Sequence, residues 1–328
     1  MTMRGEHHTA IARAVAELRA GGLVAFPTET VYGLGADAES PAAVRKIFAA
    51  KGRPPAHPLI VHIGDAAQLD RWAAHVPDAA RKLAAQCWPG PLTMVLQRSA
   101  RVPDEVTGGL PTVGLRVPSH PVALALLRAF GGGIAAPSAN RFGAVSPTTA
   151  QHVQADLGDV VDVILDGGPC DVGLESTIVD LTHDDPVLLR AGGIDRETLA
   201  TILGVDVSLA GDDALPSPGR LPSHYAPRAP VELVEPDGID AAIAAHPGKK
   251  VGVLRQGGHS DAPRWREHAG RVEVELGDSA AVAHDLYATL RELDARGCEV
   301  IIATLPHERG LGLAIADRLR KAAGPRGA

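Results

Sequence analysis

Short apolar segments that each run straight into a polar loop bounded by Gly or Pro recur through the first two-thirds of this chain. That feature restricts the fold more than any other. LVAF leads into PTET at residues 23–30, PLIVHI spans 58–63, PLTMVL 91–96 and TVGLRVP 112–118, and IAA leads into PSAN at 134–140. VDVILDGG, STIVDL and PVLLRAGG repeat the design further on. Segments of this length, bounded by turn residues, read as buried strands rather than helices. Helical periodicity lies between some of them. TAIARAVAELRAG ends at Gly21-Gly22, Ser40-Pro41 caps a segment carrying Val44, Ile47 and Phe48, and PVALALLRAF and TTAQHVQADLG follow. Strands outnumber helices, which predicts an α/β fold built on a twisted, open, mixed sheet rather than strict βαβ repetition. At 45% apolar and 3% aromatic, the core is large and mostly aliphatic. The polar start, MTMRGEHH, reads as a frayed end.

The pattern breaks near Val205. VSLAGDDALPSPGRLPSHYAPRAP is rich in Pro, Ser, Gly and Asp and has no apolar period, so it reads as a linker or ordered arm. Beyond it VELV, KKVGVL, VEVEL and CEVIIATL alternate with the helical stretches IDAAIAAH, SAAVAHDLYATLRELDARG and GLGLAIADRLRKAAG. This predicts a smaller C-terminal Rossmann-like α/β domain with a parallel sheet. The domains expected are 1–205, a linker at 206–229 and 230–328.

Several function classes are disfavoured. A net charge of −7 argues against a broad nucleic-acid footprint, although a local basic pocket stays open. There is no phosphate-loop Gly-Lys-Ser/Thr, because Gly248-Lys249 is followed by Lys250. The glycines at 310 and 312 lack the last residue of a dinucleotide fingerprint, since Ile315 stands there. No Cys/His spacing suits zinc, and there is no nucleophile elbow. Cys87, Cys170 and Cys298 are odd in number and far apart, which fits reduced, buried thiols and a cytoplasmic location. Neither a signal peptide nor an apolar run of membrane-spanning length is read, so no membrane partner is expected.

The chemistry-bearing residues gather in the loops. In KGRPPAHPL, Lys51 and Arg53 stand in a segment stiffened by Gly52, Pro54, Pro55 and Pro58. Lys51 suits the negative end of the preceding helix, and Gly52 its C-terminal cap. Equally, a Lys point charge and an Arg fork fixed together suit a polyphosphate. Ser138 and Asn140 stand two apart beyond a short strand and face one side; such pairs bind ligand polar groups or make turns. Ser146-Pro147 is read as the cap of the next helix, whose N–H groups can also meet an anion. PTETVYGLGADA offers Thr28, Glu29 and Thr30 before a Gly-bracketed turn, and Glu175, Ser176 and Thr177 sit at the mouth of another strand. Arg116 and Arg190 interrupt apolar runs, where each requires a partner or a pocket.

Taken in order, PTETVYGLGADA, KGRP, WPGPLT, VGLRVP, PSAN, SPTTA, GLESTIVD and LLRAGG resemble the YrdC-like family of L-threonylcarbamoyladenylate synthases. SHYAP and GLGLAIADRLRKAA resemble its long, two-domain form. The resemblance implies synthesis of threonylcarbamoyl-AMP and pyrophosphate from L-threonine, bicarbonate and ATP, for N6-threonylcarbamoyladenosine in tRNA. It implies a nucleotidyltransferase needing Mg2+ on the phosphates, with no direct protein ligand to the metal. Its partners are tRNA-modification proteins that accept the adenylate, with weak RNA binding a further expectation. Lys51, Arg53, Ser138 and Asn140 take catalytic places in it. The ATP contacts fall on Arg53, His57, Thr112, Ser138, Ser146, Arg190 and Tyr225, and the threonine contacts on Thr30, His62, Arg116, Ala136 (through its backbone) and Ser176. One departure is His57 in HPL, where the family has Asn. Two other readings stay open: an RNA-binding module, and an ATP-binding carbamoyltransferase acting on another amine.

Overall fold

A computed structural model describes residues 2–211, 215, 224–257, 262–268 and 270–325, with side chains from residue 8 onward. By contacts the chain forms two compact units. The first comprises Met1–Phe142, Pro147–Asp171 and Glu175–Arg220, and the second Gly143–Ser146, Val172–Leu174 and Leu221–Ala328. Of the linker expected at 206–229, positions 212–214 and 216–223 lie outside the described residues.

The first unit is built on a ten-stranded sheet. Its strands are β1 (Val24–Phe26), β2 (Gly33–Asp37), β3 (Ile60–His62), β4 (Leu92–Gln97), β5 (Thr112–Arg116), β6 (Ile134–Ala135), β7 (Val163–Ile164), β8 (Thr177–Asp180), β9 (Val187–Arg190) and β10 (Ser208–Leu209). They lie in the order β10-β9-β8-β4-β5-β3-β6-β2-β1-β7. Parallel pairs such as β3/β5 and β4/β8 alternate with antiparallel ones such as β4/β5 and β3/β6, so the sheet is mixed, as expected. Two strands depart from the sequence reading. GLGAD forms β2 rather than a turn, and β10 lies within the expected linker. Gly35 explains the first: a Cβ there would lie 2.6 Å from Ile134 Cγ2 and 2.8 Å from Phe26 Cε1, so only glycine lets the neighbouring strands close over it.

The helix Thr2–Arg19 begins well before its apolar periodicity, taking in residues expected to fray. Leu18, Phe26, Leu126, Leu127 and Ile134 form a fully buried cluster joining that helix, the helix Pro121–Phe130 and the sheet. At roughly 1.5–3 kcal/mol for each large apolar side chain buried, such clusters fix the strand ends from which the loops emerge.

The second unit contains β11 (Val231–Leu233), β12 (Val251–Arg255), β13 (Arg264–His268), β14 (Arg271–Glu275) and β15 (Val300–Ala303), in the order β11-β15-β12-β14-β13. The expected parallel arrangement holds for β11, β15, β12 and β14. The edge strand β13 is antiparallel and was not legible, because RWREH is polar and exposed. Among the described residues no helix is long and apolar enough to cross a membrane. All three cysteines are free and buried.

Candidate active site

The helix Pro41–Lys51 delivers the first cation. Ser40 caps its N-terminus by accepting from Ala43 N–H, and Pro41 occupies the first turn. Gly52, at φ 65°, closes the other end, where the Arg53 N–H returns to the Phe48 carbonyl at 3.0 Å. Lys51 is 3% exposed and turns inward. Its Nζ donates to the Ser138 carbonyl at 2.6 Å and the Asn140 carbonyl at 2.5 Å, with Asn140 Oδ1 at 3.3 Å. Three acceptors suit an ammonium with three N–H groups. Burial first, and the neighbouring Arg53 charge second, hold the Lys51 pKa well below its ordinary value. Lys51 thus ends the helix and pins the PSAN loop.

Ser138 and Asn140 do face one side, since Ser138 Oγ donates to Asn140 Oδ1 at 2.6 Å. The loop is held in extended form against β2, where Leu34 N–H bonds to Pro137 O and Ala139 N–H to Tyr32 O, each at 2.8 Å. Phe142 then joins this loop to the KGRP loop. Its N–H donates to the Lys51 carbonyl at 2.9 Å, and its ring lies 5.8 Å from the Arg53 guanidinium and 5.6 Å from the His57 ring. Arg53 also donates from Nη2 to the Pro58 carbonyl at 3.1 Å. His57 is held below its ordinary pKa by partial burial and by Arg53, and so stays neutral at pH 7.

A second group lies at the ends of β3 and β5. Their parallel register sets His62 beside Arg116. Burial first and Arg116 second push the His62 pKa down to about 3, against the backbone carbonyls of Ile134 and Ile60. Arg116 finds the partner its burial demands: Nη2 lies 2.9 Å from Glu29 Oε1, and both side chains are 4% exposed. Glu29 Oε2 accepts from Ser119 N–H at 3.0 Å. Thr30 is fully buried and shares a 2.8 Å hydroxyl contact with Thr28. Ala136 donates its N–H to the Ile60 carbonyl at 2.9 Å. Thr112 opens β5, opposite Gln97.

A third group couples Ser176 to Arg190. The guanidinium grips the Ser176 carbonyl from Nε at 3.1 Å and from Nη2 at 2.8 Å, and Nη2 also reaches Ser176 Oγ at 3.2 Å. Ser176 Oγ meets Thr93 Oγ1 at 2.8 Å. The remaining candidates, Ser146 and Tyr225, belong to the second unit. Ser146 is not a helix cap: the next helix, Ala150–Leu157, is capped by Thr149, whose side chain accepts from His152 N–H. Ser146 is buried, and its carbonyl accepts from Arg291 Nε at 3.4 Å. Tyr225 adopts φ 62°, rare for a side chain of its size. It stacks on Tyr287 at 5.7 Å, and the buried Arg318 guanidinium lies 5.0 Å from its ring. Sequence reasoning gave no role to Glu29, Phe142 or Arg318. Glu29 and Arg318 stood inside quoted motifs, and Phe142 between two of them.

A family model named for Sua5, YciO and YrdC and described as "Telomere recombination" matches residues 16–192. A second, described as "Threonylcarbamoyl-AMP synthase, C-terminal domain", matches 194–324. The threonylcarbamoyl-AMP synthase of Pyrococcus abyssi is 45% identical over 323 residues, covering 94% of this chain and 92% of that protein. That of Bacillus subtilis is 45% identical over 328 residues, covering 96% and 93%. The crystal structure of P. abyssi Sua5 complexed with L-threonine superposes with a TM-score of 0.87 at 43% identity, covering 95% of this chain and 94% of that one.

Proposed function

The chain belongs to the two-domain Sua5/YrdC family of threonylcarbamoyl-AMP synthases, and from that premise we propose how its residues join L-threonine, bicarbonate and ATP into threonylcarbamoyl-AMP and pyrophosphate. The product serves N6-threonylcarbamoyladenosine formation in tRNA. The threonine α-ammonium gives up a proton to solvent, and the free amine adds to CO2 derived from bicarbonate and sheds a second proton to give a carbamate; a carbamate oxygen then displaces pyrophosphate from the α-phosphorus of ATP. No covalent nucleophile is needed; the protein must hold two anions together and stabilise the charge that develops.

Lys51 and Arg53 are assigned to the phosphates. The ammonium of Lys51 is occupied by the Ser138 and Asn140 oxygens, so triphosphate binding exchanges one of these acceptors for a phosphate oxygen. Ser138, Asn140, Thr112 and Arg190 complete the nucleotide side of the first unit, and neutral His57 contributes one imidazole N–H. Arg116 takes the threonine carboxylate, with Thr30, His62, the Ala136 backbone and Ser176 around it. Ser146 and Tyr225 are assigned to the nucleotide by family likeness alone. Mg2+ enters on the phosphates. Such an ion is held by phosphate oxygens and water rather than by a dedicated protein cage.

The observation that carries this reading is the bonding of Lys51 to both ends of the Ser-x-Asn pair, which ties two family motifs into one cationic site. Mass spectrometry of the quenched reaction tests it. An adduct of AMP with N-carboxythreonine, absent when threonine is withheld, is expected; AMP or ADP alone refutes it. Proteins that accept the adenylate for transfer to tRNA are the expected partners.

A further inference from the structure

The Arg116–Glu29 pair has a geometry that an ordinary structural ion pair lacks. Arg116 Nη2 and Glu29 Oε1 lie 2.9 Å apart and are buried, yet neither atom completes a directed hydrogen bond. The rest of each side chain is anchored: Arg116 Nε donates to the Gly90 carbonyl at 3.3 Å, and Glu29 Oε2 accepts from Ser119 N–H at 3.0 Å. One donor and one acceptor of opposite charge are thus fixed side by side with bonding capacity unused. Beside them His62, adjacent to Arg116 by strand register, is kept neutral, so it adds no second positive charge.

Opposite charges held about one hydrogen-bond length apart match the carboxylate and ammonium of an amino-acid zwitterion, which are separated by a single carbon. The proposed function gives Arg116 the substrate carboxylate and leaves the ammonium unassigned. We propose that Glu29 binds the α-ammonium of threonine through Oε1, so that this pair selects an α-amino acid over other hydroxy acids. The inference rests on the reading of Arg116 as the carboxylate site and deepens it. A buried donor and acceptor that complete no directed hydrogen bond are costly even within an ion pair, and the zwitterion gives each of them one.

The test is binding of L-threonine and of 3-hydroxybutanoate, which is threonine without its amine, to the full-length wild-type, Glu29→Gln and Glu29→Asp proteins. Affinities come from titration calorimetry, with competition against threonine for the weaker ligand. A charge-assisted contact of this kind is expected to separate the two ligands by about 10- to 100-fold in the wild type. Glu29→Gln is isosteric and removes the charge, so that preference collapses toward unity. Glu29→Asp keeps the charge beside Arg116 and withdraws it from the ammonium, so the protein folds and the preference falls by a smaller factor. If both ligands weaken in parallel in the variants, Glu29 only positions Arg116 and the proposal is overturned. Unchanged selectivity overturns it too. A folded wild-type protein that binds neither ligand overturns the carboxylate-site reading and this proposal together.

Discussion

Replacing Lys51 by Met keeps an unbranched side chain out to Cε and removes the ammonium beyond it. Two short contacts vanish, to the Ser138 and Asn140 carbonyls at 2.6 and 2.5 Å, together with the 3.3 Å approach of Asn140 Oδ1. Loss of a buried donor costs about 1–3 kcal/mol for each acceptor left short of a partner. The two carbonyls therefore set a scale of about 2–6 kcal/mol. Relief from burying a charge offsets part of it, since burial already holds the Lys51 pKa well below its usual value. The net expectation is a folded protein with a lowered melting temperature. Catalysis falls further: removing one fixed electrostatic contact to a developing oxyanion costs about 10²–10³ in rate. Because Lys51 also holds the loop carrying Ser138 and Asn140, the KM for ATP rises as kcat falls. Pyrophosphate release under saturating threonine and bicarbonate reads the rate, and a thermal melt reads the fold. A folded variant that keeps near-normal kcat/KM would refute the assignment of Lys51 to the phosphates.

Other expectations follow from single contacts. In Arg190→Lys a point charge replaces the fork that grips the Ser176 carbonyl from Nε and Nη2, so steady-state kinetics should show the KM rising for ATP and threonine together. An effect on ATP alone would separate Arg190 from Ser176. His62 links pH to stability. Its folded pKa, near 3, lies below the ordinary 6.5, so between these values the unfolded chain binds a proton that the native state does not. Stability from this group is fully present above pH 6.5 and is lost as pH falls toward 3, by up to about 3 kcal/mol at pH 4. Melting curves from pH 7 to 4 should therefore fall less steeply for His62→Gln than for the wild type. Parallel curves would show that His62 is protonated in the native state.

The strands that position the site were legible because each is a short apolar run ended by Gly or Pro, and β3, β4, β5, β8 and β9 appear where those runs stand. β2 was hidden because its glycines, needed for close packing against Phe26 and Ile134, imitate a turn. The helix Asp78–Cys87 follows Pro77 and has no side-chain cap, and the helix Arg196–Leu203 buries only Leu199, so neither announces itself. The candidate residues of the first unit came from ordered motifs, and their loops do gather Lys51 with Ser138 and Asn140, and Ser176 with Arg190. What a linear motif cannot carry is pairing across the sheet. Glu29 and Arg116 stand 87 positions apart, and only the folded chain brings them to 2.9 Å. The cap assigned to Ser146 failed for a related reason, because Thr149 is the nearer hydroxyl to the first helical turn.

The most direct test of the central claim is pyrophosphate release from ATP with L-threonine and bicarbonate each supplied and withheld. The account predicts release only when both are present, accompanied by an acid-labile adenylate. Release that ignores threonine, or ATP that stays intact in every combination, would contradict it.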